Sequence, residues 1–157
     1  MIELYEGVPG SGKSYHAICE KFLPWVRQGR RLYIAVDGIY LDRLSLFTGI
    51  ELSALEQQIT IWKDSVEVLQ AFPHVEPGSA VIIDEAQTVF RSMQKVEPGL
   101  LRWLETHRHY GVDILLMSQD FRQMSQGVTR LIEATVKFRK LAFVGLSKKY
   151  QGKVRGN

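Results

Sequence analysis

Cysteine is nearly absent from the 157-residue chain, where Cys19 stands alone. That excludes an internal disulfide and any multi-cysteine zinc site, and it suits a reducing compartment. Long apolar runs are missing too. Stretches such as "AVII" and "ILLM" fall far short of the roughly 18 residues that cross a bilayer. The opening "MIELYEGVPG" has neither a basic start nor an apolar core, so no secretory signal is expected. Acid is lacking from Lys137 onward. Seven basic residues there (Lys137, Arg139, Lys140, Lys148, Lys149, Lys153, Arg155) meet no carboxylate, whereas the 136 residues before them hold 13 basic and 17 acidic ones. Such an end fits a segment facing anionic lipid or nucleic acid, or equally a solvated terminus. No repeat or low-complexity segment interrupts the chain. Its 45% hydrophobic and 24% charged residues are those of one soluble globular domain with a core.

What is present is an alternation of β and α patterns. Residues 2–5 read as a short strand, followed by a glycine-rich loop and an amphipathic stretch from Gly12 to Gln28. Pro24 is expected to kink or split that helix and Gly29 to end it. "RLYIAV" (31–36) reads as a second strand. From Asp37 to Gly78 the pattern is of helical pieces, two of them opening with capping-box spacing, Ser53 with Glu56 and Asp64 with Glu67. "AVIID" (80–84) and "VDILLMS" (112–118) have the look of strands buried on both faces. Between them, "PGLLRWLETHRHY" (98–110) is a helix with Pro98 in its first turn and Gly111 at its end. A helix around 121–132 and β-patterned segments within 134–146 complete the domain. Strands alternating with helices predict a mostly parallel sheet in an α/β fold.

The chemistry concentrates in Gly7-Val8-Pro9-Gly10-Ser11-Gly12-Lys13-Ser14, a complete G-x-x-x-x-G-K-S phosphate loop between a strand and a helix. Glycines let successive N–H groups turn inward as an anion nest, and the helix that starts near Gly12 adds the positive end of its dipole. Val8 to Tyr15 are the expected nucleotide contacts: Val8, Pro9, Gly10, Ser11, Gly12, Lys13, Ser14 and Tyr15. Lys13 would reach the β- and γ-phosphates of ATP, and the Ser14 hydroxyl would sit on Mg²⁺.

Such a loop needs a second carboxylate on the metal side. "VIIDEAQ" supplies Asp84 at the end of a buried strand to hold Mg²⁺, and Glu85 to polarise an attacking water. Neither an N-K-x-D nor an arginine-rich lid is visible, so hydrolysis is favoured over a GTPase switch or phosphoryl transfer to a metabolite. Ser118 and Gln119, at the end of "DILLM", are candidate γ-phosphate sensors, although polar residues also simply end buried strands. In "THRHYG" (106–111) the cations suit a helix C-terminus. A metal site is rejected there for want of a third ligand. Arg108 would lie at the sheet edge away from its own nucleotide and could serve only a neighbouring subunit, in trans.

With "GVPGSGKS", "VIIDEAQ" and above all "WLETHRHYGVDILLMSQD" in place, the chain resembles the N-terminal cytoplasmic domain of the zonula occludens toxin (Zot)-like family. These are assembly and export ATPases of filamentous phages. The resemblance spans about residues 2 to 120. It implies a P-loop NTPase with a RecA-like three-layer sandwich, the Walker B and sensor strands adjacent, and Mg²⁺-dependent ATP hydrolysis. It further implies a homo-oligomeric ring, such as a hexamer, at the cytoplasmic face of the host inner membrane, working on phage coat proteins and the phage single-stranded DNA complex. Members typically continue into a transmembrane helix and a periplasmic region. The chain is therefore expected to be a soluble portion, with 1–147 the ATPase domain and 148–157 a basic juxtamembrane tail. Two rival readings stay open: a DNA-translocating or packaging ATPase of the related class, and a nucleotide-dependent interaction module with negligible hydrolysis. One departure from pattern stands out. Glu3 and Glu6 lie in a strand that should be nearly all apolar, so Glu6 must find a cation or a water.

Overall fold

The computed structural model describes residues 1–140 and 150–156. Its frame is a sheet in the order β3-β2-β4-β5-β1-β6-β7, parallel from β3 through β6, with β7 antiparallel at the end. The strands are β1 (Ile2–Glu6), β2 (Leu32–Ala35), β3 (Ile59–Ile61), β4 (Ala80–Ile83), β5 (Asp113–Ser118), β6 (Ala134–Lys140) and β7 (Tyr150–Gly156). The β-patterned residues 141–146 lie outside the described ones.

The central strands β2, β4 and β5 bury both faces, which is why β4 and β5 read as near-continuous apolar runs. One face packs on α1 (Lys13–Ala17), α2 (Leu23–Arg27), α3 (Leu41–Thr48) and α4 (Leu52–Gln58) through Tyr5, Ile34, Ile82 and Leu115. The other packs on α5 (Ser65–Ala71), α6 (Ala86–Val89), α7 (Pro98–Thr106) and α8 (Gln126–Thr129) through Leu4, Val81, Ile83 and Leu116. Helices on both faces of the sheet make the three-layer α/β sandwich that the pattern predicts.

Several local expectations are corrected. The interruption expected at Pro24 takes the form of a π-helical turn, Ile18–Phe22, which joins α1 to α2 and places the proline in the first turn of α2. The segment 37–78 holds a short edge strand, β3, beside its helices, and among the described strands it pairs with β2 alone. Ser53 lies inside α4 rather than capping it. The helix expected around 121–132 is only a 3₁₀ turn, Phe121–Gln123, and the four residues of α8.

The two acids of β1 are both paired. Glu3 meets Lys21 of the π-helical turn. Glu6, on the opposite face, has Lys137 Nζ of β6 2.9 Å from Oε2, while Oε1 accepts from Phe121 N at 3.2 Å. A parallel neighbour, one strand over, thus supplies the cation that Glu6 requires.

Candidate nucleotide and metal site

Strand order decides what meets at the carboxyl edge of the sheet. With β4, β5 and β1 adjacent, Asp84, Ser118 and Gly7 leave the sheet side by side, where ligands bind in open α/β folds. Gly7 N donates to Ser118 O at 3.1 Å, tying the start of the phosphate loop to the end of β5. No side chain fits at Gly7: a Cβ would stand 2.6 Å from Phe138 O and 2.8 Å from Ser11 Oγ. Gly10 and Gly12 are required for another reason, their φ angles of 71° and 94°. This backbone turns N–H groups toward the loop's concavity, as an anion nest does.

Lys13 is buried, and its Nζ donates to Gly7 O at 2.6 Å, closing the loop over its own backbone. Ser11 is buried as well, and among the described residues its Oγ has no hydrogen-bond partner. Ser14 Oγ donates to Asp84 Oδ2 at 3.2 Å, so the two expected metal-side groups converge across 70 residues of sequence. Asp84 Oδ1 accepts from Glu85 N at 2.8 Å, which fixes the carboxylate's plane. A hydroxyl and a carboxylate oxygen are hard donors suited to Mg²⁺, which takes one or two protein ligands and completes its shell with phosphate and water. The fit is therefore good. Among the described residues no cluster of three His, Cys, Asp or Glu forms a self-sufficient metal cage. Val8, Pro9 and Tyr15 line the outside of the loop, all exposed.

Glu85 is the one non-glycine residue among those described with a positive φ, 48°. Such a conformation costs on the order of 1–3 kcal/mol and points to a site that over-determines it. Thr88 holds the Glu85 carbonyl with its N (2.7 Å) and Oγ1 (2.9 Å). Gln119 Nε2 lies 3.2 Å from Glu85 Oε2, and Ser118 Oγ donates to Gln87 Oε1 at 2.9 Å. Gln87, absent from the expected set, also donates to Glu85 through Nε2. Its only sequence signal was its place two residues past Glu85.

Beside the loop opens a cavity of about 390 Å³ whose lining includes Gly7, Val8, Asp120, Arg122 and Arg139. A larger one, about 520 Å³, lies over Leu4, Thr135 and α8, away from Lys13 and Asp84. Asp120 is held below the usual carboxylate range by Arg122, which pairs with it at 2.7 Å.

Arg108 stands at the opposite edge of the sheet, as its helix direction predicts, and does not join this cluster. It pairs with Glu133 just before β6. That hydrogen bond lowers the Glu133 carboxyl, with Ile2 N assisting against a smaller effect of burial, and raises the Arg108 guanidinium.

Known proteins share both the sequence pattern and the frame. The Zonular occludens toxin (Zot) family model matches residues 1–155. The gene 1 protein of Xanthomonas phage phiLf is 26% identical over 164 residues, covering 96% of this chain and 37% of that protein. The chain thus spans well under half the length of that relative. The N-terminal domain of zonular occludens toxin from Neisseria meningitidis superposes with a TM-score of 0.61 at 19% identity, over 98% of this chain and 92% of that one. The genome packaging NTPase B204 of Sulfolobus turreted icosahedral virus 2, in complex with ATP-gammaS, gives 0.63 at 21% identity over 94% and 80%. At such identities the structural likeness speaks for the fold, a RecA-like P-loop sandwich. The family match covers nearly every residue, the glycine-rich loop, β4 and β5 included, and on that ground the chain belongs to the Zonular occludens toxin (Zot) family.

Proposed function

We propose that the chain is the Mg²⁺-dependent ATPase portion of a motor for filamentous phage assembly and extrusion. The observation that carries this is the convergence of Lys13, Ser14, Asp84 and Glu85 on one edge of the sheet, at the mouth of a glycine nest. The gene 1 protein of a phage and the B204 packaging NTPase, as relatives in sequence and in fold, support a role in phage assembly or packaging.

In this reading the loop N–H groups and Lys13 bind the phosphates of ATP. When bound, Mg²⁺ supplies Lewis-acid neutralisation of the phosphate charge. Ser14 and Asp84 hold that ion, and Glu85 takes a proton from the attacking water. Ser118 and Gln119 report on the terminal phosphate. Arg108, exposed and remote from its own loop, is the residue offered to a neighbouring protomer in a ring, so that turnover depends on assembly. Coat subunits and the single-stranded DNA complex are the cargo. Residues 150–156 belong to the sheet as β7 rather than to a separate tail, and residues 148, 149 and 157 lie outside the described ones. The positive charge of this end of the chain suits an anionic surface such as the inner face of the host membrane. Among the described residues no helix is long and apolar enough to cross a membrane.

ATP turnover of the purified chain tests the reading. Glu85→Gln is expected to lower kcat by roughly 10²–10⁴-fold while ATP still binds. Turnover at the wild-type rate in that variant removes Glu85 as the base. Specific activity of the wild type should rise with protein concentration, and that rise should vanish in Arg108→Ala. Stimulation by DNA that falls steeply with salt would instead favour a DNA-translocating ATPase.

A further inference from the structure

Gln87 has no part in phosphate or metal binding as described above, yet its amide is engaged at both ends. Oε1 accepts from Ser118 Oγ at 2.9 Å, and Nε2 donates to Glu85 Oε2. Ser118 is 1% exposed, and its carbonyl accepts from Gly7 N, the first residue of the phosphate loop. A single chain of hydrogen bonds therefore runs from the loop backbone through Ser118 and Gln87 to the Glu85 carboxylate. The backbone of Glu85 is already fixed in the left-handed region by Thr88. Its side chain, with three rotatable bonds, is not fixed by that.

We propose that Gln87 is a positioning residue for Glu85: beside Gln119 Nε2, which lies 3.2 Å from the same carboxylate, it aims that group and ties the aim to Ser118 and the phosphate loop. This rests on the reading of Glu85 as the water-activating base. The residue type follows from the two ends. One must accept from a buried hydroxyl, and the other must donate to a carboxylate. An amide does both, with the acceptor-only carboxylate of Glu85 setting which way it is turned. A glutamate of the same length would face Glu85 with a second carboxylate, and a methionine would offer neither group. A Gln87 that merely closes the first turn of α6 would bond to backbone. In the structure both of its bonds go to side chains of the candidate site.

The test uses the whole chain, ATP with Mg²⁺, and two variants, Gln87→Met and Gln87→Glu. Both are expected to lose on the order of 10²-fold in kcat, the scale of a misplaced reacting group. Affinity for a fluorescent ATP analogue and the thermal midpoint should stay at wild-type values. Glu85→Gln combined with Gln87→Met should be no slower than Glu85→Gln alone, because the two residues act as one unit. Wild-type kcat in Gln87→Met overturns the positioning role, as does a kcat loss matched by lost affinity or a lowered midpoint. If Glu85→Gln is slow while Gln87→Met is normal, only the positioning role falls. If Glu85→Gln is itself normal, the base assignment falls and the positioning role with it.

Discussion

At the scale of single residues, Glu6 shows how a local violation of pattern is settled by a partner far along the chain. Its side chain is 12% exposed, and Lys137 is the cation that faces it, with Phe121 N on the second oxygen. Lys137 also lies 5.8 Å from the centre of the Phe121 ring, so the lysine, the glutamate and the loop after β5 form one contact. Removing the lysine leaves a mostly buried carboxylate without its charge partner. Lys137→Met should therefore destabilise the fold by about 1–3 kcal/mol, read as a lowered urea midpoint. Glu6→Gln added to Lys137→Met should recover much of that loss, because the stranded charge is gone. A double variant as unstable as the single one would show that the lysine acts through packing alone. The need for a cation at Glu6 was legible in the sequence. Its identity was not, because the β pattern within 134–146 contains Lys137 without saying that its strand lies beside β1. The phosphate loop, Asp84 and Glu85 were legible because each is a contiguous motif. Gln87 was not, because its role exists only once β4 and β5 lie side by side.

At the scale of elements, two identical cap patterns came to different ends. Asp64 caps α5, accepting from Val66 N at 2.9 Å and Glu67 N at 2.8 Å. Glu67 reaches back to Lys63 N at 2.8 Å, one residue before the cap. Ser53, with Glu56 three residues on, looks the same in sequence yet sits in the first turn of α4, whose cap position is Glu51. The difference lies in what precedes: α3 ends at Gly49, whose φ of 75° turns the chain early into the next helix. Asp64→Ala should cost about 1 kcal/mol, whereas Ser53→Ala, at an exposed helix position where alanine is the better former, should be neutral or slightly stabilising. Equal losses in the two variants, measured by denaturant midpoints, would place Ser53 at a cap after all. The strand β3 is hidden in the sequence for a related reason. Three residues at a sheet edge carry too little alternation to be told from the end of a helix, and only pairing with Leu32–Ile34 makes them a strand.

At the scale of the whole molecule, the edge of the sheet opposite the phosphate loop carries a cluster of ion pairs beside its apolar packing. Arg30 and the Met1 ammonium both bind Asp113, and Arg108 binds Glu133. Burial tends to raise the Asp113 carboxyl, but the hydrogen bonds and charges of Met1 and Arg30 outweigh it and hold it low. Inside this cluster His107 is buried, its Nδ1 2.7 Å from Leu104 O and its Nε2 3.5 Å from Glu133 Oε1. Burial pulls its pKa below the ordinary value. The Leu104 carbonyl and Glu133 oppose that, while the Met1 ammonium and Arg108 reinforce it. The unfolded chain therefore takes up a proton near pH 6.5 that the folded chain refuses, and refusing it costs stability. The contribution of His107 is complete above about pH 6.5 and declines as pH falls below it, by at most about 1.4 kcal/mol per pH unit. Wild-type urea midpoints should fall between pH 7.5 and 5.5, and His107→Gln should flatten that fall. A second loss, below about pH 4, should survive in the variant, since Asp113 and Glu133 have lowered pKa values and their contribution disappears only when they protonate. A wild-type slope unchanged in His107→Gln would show that His107 does not carry the first window. The two windows thus separate the neutral group buried in the cluster from the charged groups around it.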